Sequence, residues 1–194
     1  MRISNKQHLF DKRIENYLLA RGLIELYLAN RRWFNAERKD APQLTIDFEF
    51  GKMTNNSYLN DVVGVMSRPL ENPEQKEFLT KLEEMKILAS KAKFLFCGKS
   101  ADFLSEFIAD YQKLLNEMYK YRITVVHMTD EIYRPLSLRK MEWTLEESSK
   151  SIGEPKQRKE LYECMDKLVK SYRAIEKNNV LAKLEKQIKL KGVI

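Results

Sequence analysis

Cysteine, histidine, glycine and proline are all scarce in this chain of 194 residues, which contains 2, 2, 6 and 5 of them. Two cysteines cannot form a disulfide framework, and we expect Cys97 and Cys164 to be small buried hydrophobic residues. Few glycines and prolines leave few turns, so the secondary-structure elements must be long. In a chain rich in lysine, glutamate and leucine, long elements are usually helices.

Long apolar runs are also missing. No uninterrupted apolar stretch approaches the ~20 residues of a transmembrane helix, and charged residues interrupt any early signal-peptide core. Together with the low cysteine count, this predicts a protein of the reducing cytoplasm without a membrane partner. The histidines and cysteines lie far apart without metal-ligand spacing, so we expect no metal and no cofactor.

The formal net charge is +7, and it is concentrated at the two ends of the chain. Residues 1–40 contain 9 basic and 5 acidic side chains, and residues 156–194 contain 11 and 5, whereas residues 41–155 contain 15 and 18. Basic terminal segments are typical of proteins that bind RNA or another nucleic acid. They are equally typical of lysine-rich helices that simply face solvent.

Apolar residues recur at helical spacing through most of the chain. The pattern predicts helices over about 9–38, 74–97, 100–134, 137–151 and 156–191, with a short one from Asn55–Ser57 to Met66. Ser100 is the predicted N-cap of the second long helix, and Gly98 the glycine that ends the one before it. We therefore expect a mainly α protein: one domain over 1–194, a bundle of about five to six helices.

Gly153 and Pro155 mark a hinge near 153–155, and the predicted long C-terminal helix follows it. The apolar phase of that helix shifts at Leu181, Leu184 and Ile188. A phase shift in a terminal helix indicates that its end packs on something else, such as a second copy or a protein partner.

Three short segments leave the fold class open. Residues 44–50 alternate apolar and polar side chains, which fits a strand, although a helix start or an extended loop fits equally. Residues 94–97 and 123–126 could be two strands joined by the helix between them. The alternative to the bundle is therefore a small α/β protein with a βαβ unit and a nucleotide ligand at the strand ends.

Arg122 and His127 are the residues most suggestive of chemistry. The arrangement Arg-x4-His, late in a helical chain, resembles the signature of the HEPN family (R-x4–6-H). The resemblance covers the motif and a general helical outline over about residues 5–180. It implies a helical, commonly dimeric protein, and in many members a metal-independent ribonuclease of toxin–antitoxin or antiviral defence systems. The residue after the arginine is Ile123, where the family usually has a polar side chain.

The chemistry of such a pair suits RNA cleavage by the 2′-hydroxyl. Imidazole titrates near neutral pH, so His127 could act as general acid or base. The guanidinium of Arg122 could hold the scissile phosphate through two parallel hydrogen bonds, and Thr124 could assist. Each chain supplies one such histidine, so the resemblance implies a homodimer with two motifs at its axis.

A different class of function remains open. The chain could be a non-catalytic helical module that binds nucleic acid or a protein partner through its basic terminal segments. The sequence Arg31-Arg32-Trp33-Phe34 mixes charge with aromatic rings in a way that nucleic acid could contact, although the end of an amphipathic helix has the same composition.

Overall fold

The computed structural model describes residues 2–133 and 144–189, and it confirms the mainly helical prediction. About 81% of the described residues are helical and the described ranges contain no strand, so the α/β alternative is wrong. The α-helices within these ranges are α1 (Arg2–Ala29), α2 (Arg31–Phe34), α3 (Ile46–Met53), α4 (Glu74–Leu95), α5 (Lys99–Tyr133), α6 (Leu145–Ser151), α7 (Glu154–Lys177) and α8 (Val180–Lys189), and a 3-10 helix spans Asn60–Met66.

The 35-residue helix α5 is the central element of the bundle. It packs most extensively against α7 and α4, and also contacts α3, α6 and α8. Its predicted apolar stripe is buried from Phe107 through Tyr111 and Met118 to Val125. Spacings of three and four residues place these side chains on one helix face, so the long helix is held by packing along most of its length.

The turn from α4 to α5 corrects two details of the prediction. Gly98 adopts a left-handed conformation (φ 74°), which a glycine reaches without steric cost. Helix α5 already begins at Lys99, so Ser100 is its second residue rather than its N-cap. The proposed strands at 94–97 and 123–126 do not exist: Phe94 and Leu95 end α4, and residues 123–126 lie inside α5.

The N-terminal region has more breaks than its periodicity indicated. Helix α1 ends at Ala29 rather than near residue 38, and the side-chain amide of Asn30 donates to the carbonyls of Leu26 (2.8 Å) and Lys52 (3.2 Å). Residues 46–53 form a helix, not a strand, because Ile46, Phe50 and Met53 bury one helical face. The side-chain oxygen of Asn56 accepts the backbone N–H groups of residues 58 and 59, just before the 3-10 helix.

The predicted long C-terminal helix is two helices. Chain direction changes at Asn178 and Asn179, the second of which is left-handed (φ 51°). The shift in apolar phase therefore marks the start of α8, whose Val180, Leu184 and Ile188 are buried in this chain's own core. Before α7, a capping box at Thr144 begins α6, and the earlier part of that predicted helix lies outside the described residues.

The two cysteines differ in their surroundings. Cys164 is half-buried, and burial raises the pKa of its thiol, whereas Cys97 is exposed, so the prediction that both are buried is wrong for Cys97. The side chain of Gln187 accepts from the backbone N–H of Cys97 (2.8 Å) and donates to its carbonyl (3.1 Å). The α4–α5 turn is therefore tied to α8. None of the described helices has the length and apolar character to cross a membrane.

Candidate functional site

The three residues predicted for RNA cleavage all lie on α5. His127 is exposed, whereas Arg122 and Thr124 are half-buried. The Nε of Arg122 donates to the carbonyl of Met66 (3.0 Å), so the 3-10 helix holds that guanidinium. The hydroxyl of Thr124 donates back to the carbonyl of Lys120 (3.3 Å). This bond lies within α5 and does not connect Thr124 to His127.

Helix geometry separates Arg122 from His127 within one chain. Five residues of a regular α-helix turn about 140° beyond a full circle, and α5 continues without interruption from Lys99 to Tyr133. The motif therefore does not lie at a helix end, where the two side chains could have converged. One chain presents the guanidinium and the imidazole toward different sides of α5, and a shared pocket would need a second copy.

A buried polar cluster, which the sequence did not reveal, lies beside this motif. Its members are Tyr121, Ser149, Glu154 and Arg158, which we call the Glu154 cluster. Glu154 is fully buried and accepts from the hydroxyls of Tyr121 and Ser149 (2.8 Å for Ser149). Arg158, one turn further along α7, pairs with the same carboxylate (Nε to Oε1, 3.3 Å).

The loop between α2 and α3 closes the cluster from outside. Arg158 also contacts the carboxylate of Asp40 (2.9 Å) and the carbonyl of Lys39 (3.3 Å). The backbone N–H of Gln43 donates to the hydroxyl of Tyr121 (2.8 Å). Hydrogen bonds to the side chains of Tyr121 and Arg158 therefore hold this loop against α5 and α7. The loop comprises eleven residues without helix, 35–45.

The Glu154 cluster is suited to structure rather than to chemistry. The carboxylate accepts three hydrogen bonds or ion-pair contacts and lies at the first residue of α7, where the helix dipole also favours negative charge. Burial, together with the hydrogen bond to Glu154, raises the pKa of Tyr121 well above its usual value. A closed cluster whose groups are all occupied offers no position for a substrate.

A second region gathers positive charge from two separate helices. Helix α2 packs on α7, and the ring of Tyr27 on α1 contacts both helices, with its centroid 4.9 Å from that of Phe34 on α2 and 4.6 Å from that of Tyr172 on α7. Burial raises the pKa of Tyr27, and the guanidinium groups of Arg31 and Arg173 oppose that rise. Both arginines are thus within electrostatic range of one phenol, although 142 positions separate them in the sequence.

Neighbouring residues extend this positive region along α7. Lys170 and Lys177 flank Arg173 at helical spacings of three and four, so the three lie on one face, and all are exposed. We call the exposed residues Arg31, Arg32, Lys170, Arg173 and Lys177 the α2–α7 patch. Glu176 is an exposed carboxylate beside the α2–α7 patch. Burial is the main cause of the raised pKa of Tyr172, and the negative charge of Glu176 raises that pKa further.

Within the described part of the chain, no group of three histidine, cysteine, aspartate or glutamate side chains is placed to hold a metal ion. The chain matches no family model, no curated protein and no solved structure. The likeness to the HEPN family therefore stays a resemblance, resting on Arg122, His127 and the helical outline.

Proposed function

We propose that this protein is a basic helical module that binds RNA through the α2–α7 patch. The observation that supports the proposal is that Arg31 on α2 and Arg173 on α7 both lie within electrostatic range of the phenol of Tyr27. A single basic helix face is ordinary for a solvated helix, but positive charge collected from distant segments forms a surface that a phosphate chain can follow.

The dimensions and neighbours of the patch suit a single strand. Lys170 to Lys177 spans about 10 Å along α7, from a rise of 1.5 Å per residue, which is room for more than one phosphate. Trp33, half-buried beside Arg32, packs edge-on against Phe34 with 5.0 Å between ring centroids. A partly exposed indole beside a row of cations can stack on an unpaired base.

Binding of a fluorescent single-stranded RNA at several salt concentrations tests the proposal. We expect Arg31→Ala combined with Arg173→Ala to weaken binding about tenfold or more at low salt. The slope of log affinity against log salt should fall by about 1.4, because each phosphate contact on a single strand contributes about 0.7. Deleting α7 and α8 is no substitute, since both helices supply residues to the core.

A matched control is available on α4. Lys76 and Lys93 are exposed lysines on α4, a helix that contributes no residue to the α2–α7 patch. Replacing both by alanine removes two positive charges, as the patch variant does. The proposal predicts that this control binds RNA nearly as the unchanged protein does. Equal losses in both double variants, or no binding at low salt, would contradict a role for the α2–α7 patch.

RNA cleavage at Arg122 and His127 is a second candidate, supported by the exposure of the imidazole. Arg122 is half-buried on the same helix, and its Nε is held by the carbonyl of Met66. Because the two side chains diverge around α5, we propose that Arg122 of one copy and His127 of another form each site across a two-fold axis.

Mixing two inactive variants tests this arrangement. Purified protein should cleave RNA in the presence of EDTA, and Arg122→Ala and His127→Ala should each abolish cleavage. If subunits exchange freely, a mixture of the two variants should recover about a quarter of full activity, because half of the dimers then contain one complete site. Undiminished cleavage by the His127 variant, or no recovery in the mixture, would refute the composite site.

A further inference from the structure

Helix α4 presents an apolar stripe to solvent, away from the face that packs into the core. Leu79, Ile87 and Phe94 are 47%, 53% and 88% exposed, and Phe94 is the most exposed large hydrophobic side chain in the described part of the chain. Spacings of eight and seven residues keep the three within about 80° of one another around the helix. Isolated exposed hydrophobic residues are ordinary, but three on one helix face form a surface that association can bury.

A shallow depression on the same helix has the shape to receive an exposed ring. It surrounds Leu79, and its other lining residues are Asn72, Gln75, Lys76, Thr80 and Glu83. Positions 79 and 94 are equally far from the midpoint of the stripe, which falls between residues 86 and 87. Two copies of α4 that pack antiparallel about a two-fold axis at this midpoint therefore bring Phe94 of each copy to the depression around Leu79 of the other.

Charge along α4 has the polarity that this arrangement needs. The half from Glu74 to Glu84 contains four acidic and two basic residues, whereas the half from Met85 to Leu95 contains three lysines and no acidic residue. An antiparallel pair lays the acidic half of each copy along the basic half of the other. A parallel pair would align like charges, which is unfavourable.

Glu84 and Lys91 provide the most specific ionic contact across the axis. They are seven residues apart, so they lie on the same flank of the stripe, and both are exposed. Glu84 and the partner's Lys91 are then offset by two residues, about 3 Å along the helix. Lys91 forms no ion pair with any residue within 2–133 or 144–189. Glu84 pairs in its own chain with Lys81 (2.7 Å), a surface contact that contributes little to stability.

We propose that α4 is the interface of a homodimer, in which two copies of the helix pack antiparallel about a two-fold axis at the midpoint of the stripe. Phe94 of each copy covers Leu79 of the other, and Glu84 pairs with the partner's Lys91. Helix α5 packs on the buried face of α4, so this interface is separate from the composite site considered for RNA cleavage. The contact is one helix wide, which corresponds to the small interfaces of weak, reversible association.

Sedimentation velocity over a range of micromolar concentrations tests the proposal. We expect a monomer–dimer equilibrium, and Phe94→Ser should raise its dissociation constant about tenfold or more, the usual loss for an aromatic anchor. Because the ring is 88% exposed in the single chain, the substitution should leave the fold intact. Phe48→Ser removes another exposed ring, on α3 (62% exposed), and this matched control should dimerise normally.

Charge reversal tests the ionic contact. Lys91→Glu and Glu84→Lys should each weaken the dimer, because two like charges then face each other across the axis. The protein with both substitutions should recover the dimer, because opposite charges face each other again. A double variant as weak as the two single losses combined would contradict the pairing of Glu84 with the partner's Lys91.

Cross-linking distinguishes antiparallel from parallel packing. In a Cys97→Ser background, Lys86→Cys places two thiols beside the axis, and a short bis-maleimide should link the copies. Lys93→Cys, seven residues later on the same flank, places its two thiols about 20 Å apart along the helices and should not be linked. A monomer at every concentration, an unweakened dimer in the Phe94 variant, or equal linking of the Lys86 and Lys93 variants would overturn the proposal.

Discussion

Glu154 and Arg158 lie one turn apart on α7 and form an ion pair in the interior of the bundle, with 0% and 8% of their side chains exposed. The guanidinium of Arg158 also pairs with the carboxylate of Asp40, on the loop between α2 and α3, at 2.9 Å. The pair therefore joins the start of α7 to a segment more than 100 positions earlier. Charges buried in this way are costly to separate, since the remaining partner is left without compensation.

Removing one member of this pair should destabilise the fold strongly. We expect Arg158→Ala to lower the free energy of unfolding by about 3–5 kcal/mol, the usual cost of an uncompensated buried charge. Urea denaturation followed by circular dichroism measures the change. Lys159→Ala, at the exposed neighbouring position, should shift the value by no more than about 0.5 kcal/mol, and similar effects of the two substitutions would disprove the assigned role of Arg158.

The hydroxyl of Tyr121 should contribute to stability through its two partners. Tyr121→Phe removes a donor to the buried carboxylate of Glu154 and an acceptor for the backbone N–H of Gln43. We expect a loss of about 1–3 kcal/mol, typical of leaving buried polar groups unsatisfied. Tyr162→Phe is the control, because the hydroxyl of Tyr162 bonds at the outer, wetter side of the same loop. An equal loss of stability in the control would contradict the prediction that the buried hydroxyl of Tyr121 contributes more than the outer hydroxyl of Tyr162.

Alkaline pH should weaken the fold through Tyr17. Burial, followed by the hydrogen bond to Glu185 (2.5 Å), raises the pKa of Tyr17 to about 12, whereas the unfolded chain ionises near 10. The folded state thus holds this proton more tightly, and the associated stability is present below about pH 10 and is lost as the pH rises to about 12. The group accounts for at most ~2.7 kcal/mol over that interval, at 1.36 kcal/mol per pH unit.

Denaturation at pH 8, 10, 11 and 12 tests the contribution of Tyr17. Tyr17→Phe should be less stable than the unchanged protein at pH 8, because the contact between α1 and α8 is lost, yet its stability should fall less steeply above pH 10. Parallel curves for the two proteins would show that Tyr17 does not carry the alkaline sensitivity.

The turn between α7 and α8 should be sensitive to the residue at position 179. Asn179 is left-handed (φ 51°), a conformation that asparagine and glycine tolerate better than other residues. Asn179→Ala should cost about 1 kcal/mol, and Asn179→Gly should be neutral or slightly stabilising. Thermal unfolding of both variants, with Lys183→Ala on α8 as a surface control, measures the difference. A tolerated alanine together with a destabilising glycine would contradict this explanation of the turn.

The long helices were accessible from the sequence because their signal is local. Apolar residues at spacings of three and four predicted α4 and the stripe of α5 from Phe107 to Val125, and both are confirmed. The periodicity did not locate the end of α1, because the apolar stripe persists past residue 30. At the end of α7 it did leave a signal, the phase shift at Leu181, Leu184 and Ile188, but that shift was interpreted as a change of packing partner along one continuous helix. The breaks themselves depend on single asparagines, Asn30 and Asn179, whose turn geometry the pattern of hydrophobicity does not show.

The candidate site residues and the Glu154 cluster could not be found in the same way. Arg122 and His127 were noticed because they form a short motif, and their roles stay a prediction. The Glu154 cluster and the α2–α7 patch were missed as units, although Arg31, Arg32 and the basic C-terminal segment had been noticed separately. The packing of α7 on α5 and of α2 on α7 brings the members of the cluster and of the patch together. The spacing of these residues along the chain does not reveal such contacts.

The sequence by itself therefore determined that this is a helical protein with basic ends, because helix formation and charge are properties of neighbouring residues. Tertiary structure alone decided that Glu154 and Arg158 are buried together against Tyr121 and Ser149, and that Arg31 and Arg173 both lie within electrostatic range of the phenol of Tyr27. The physical reason is that these relationships depend on which helix faces are in contact, and burial of apolar stripes from distant segments fixes those contacts only once the whole bundle has formed.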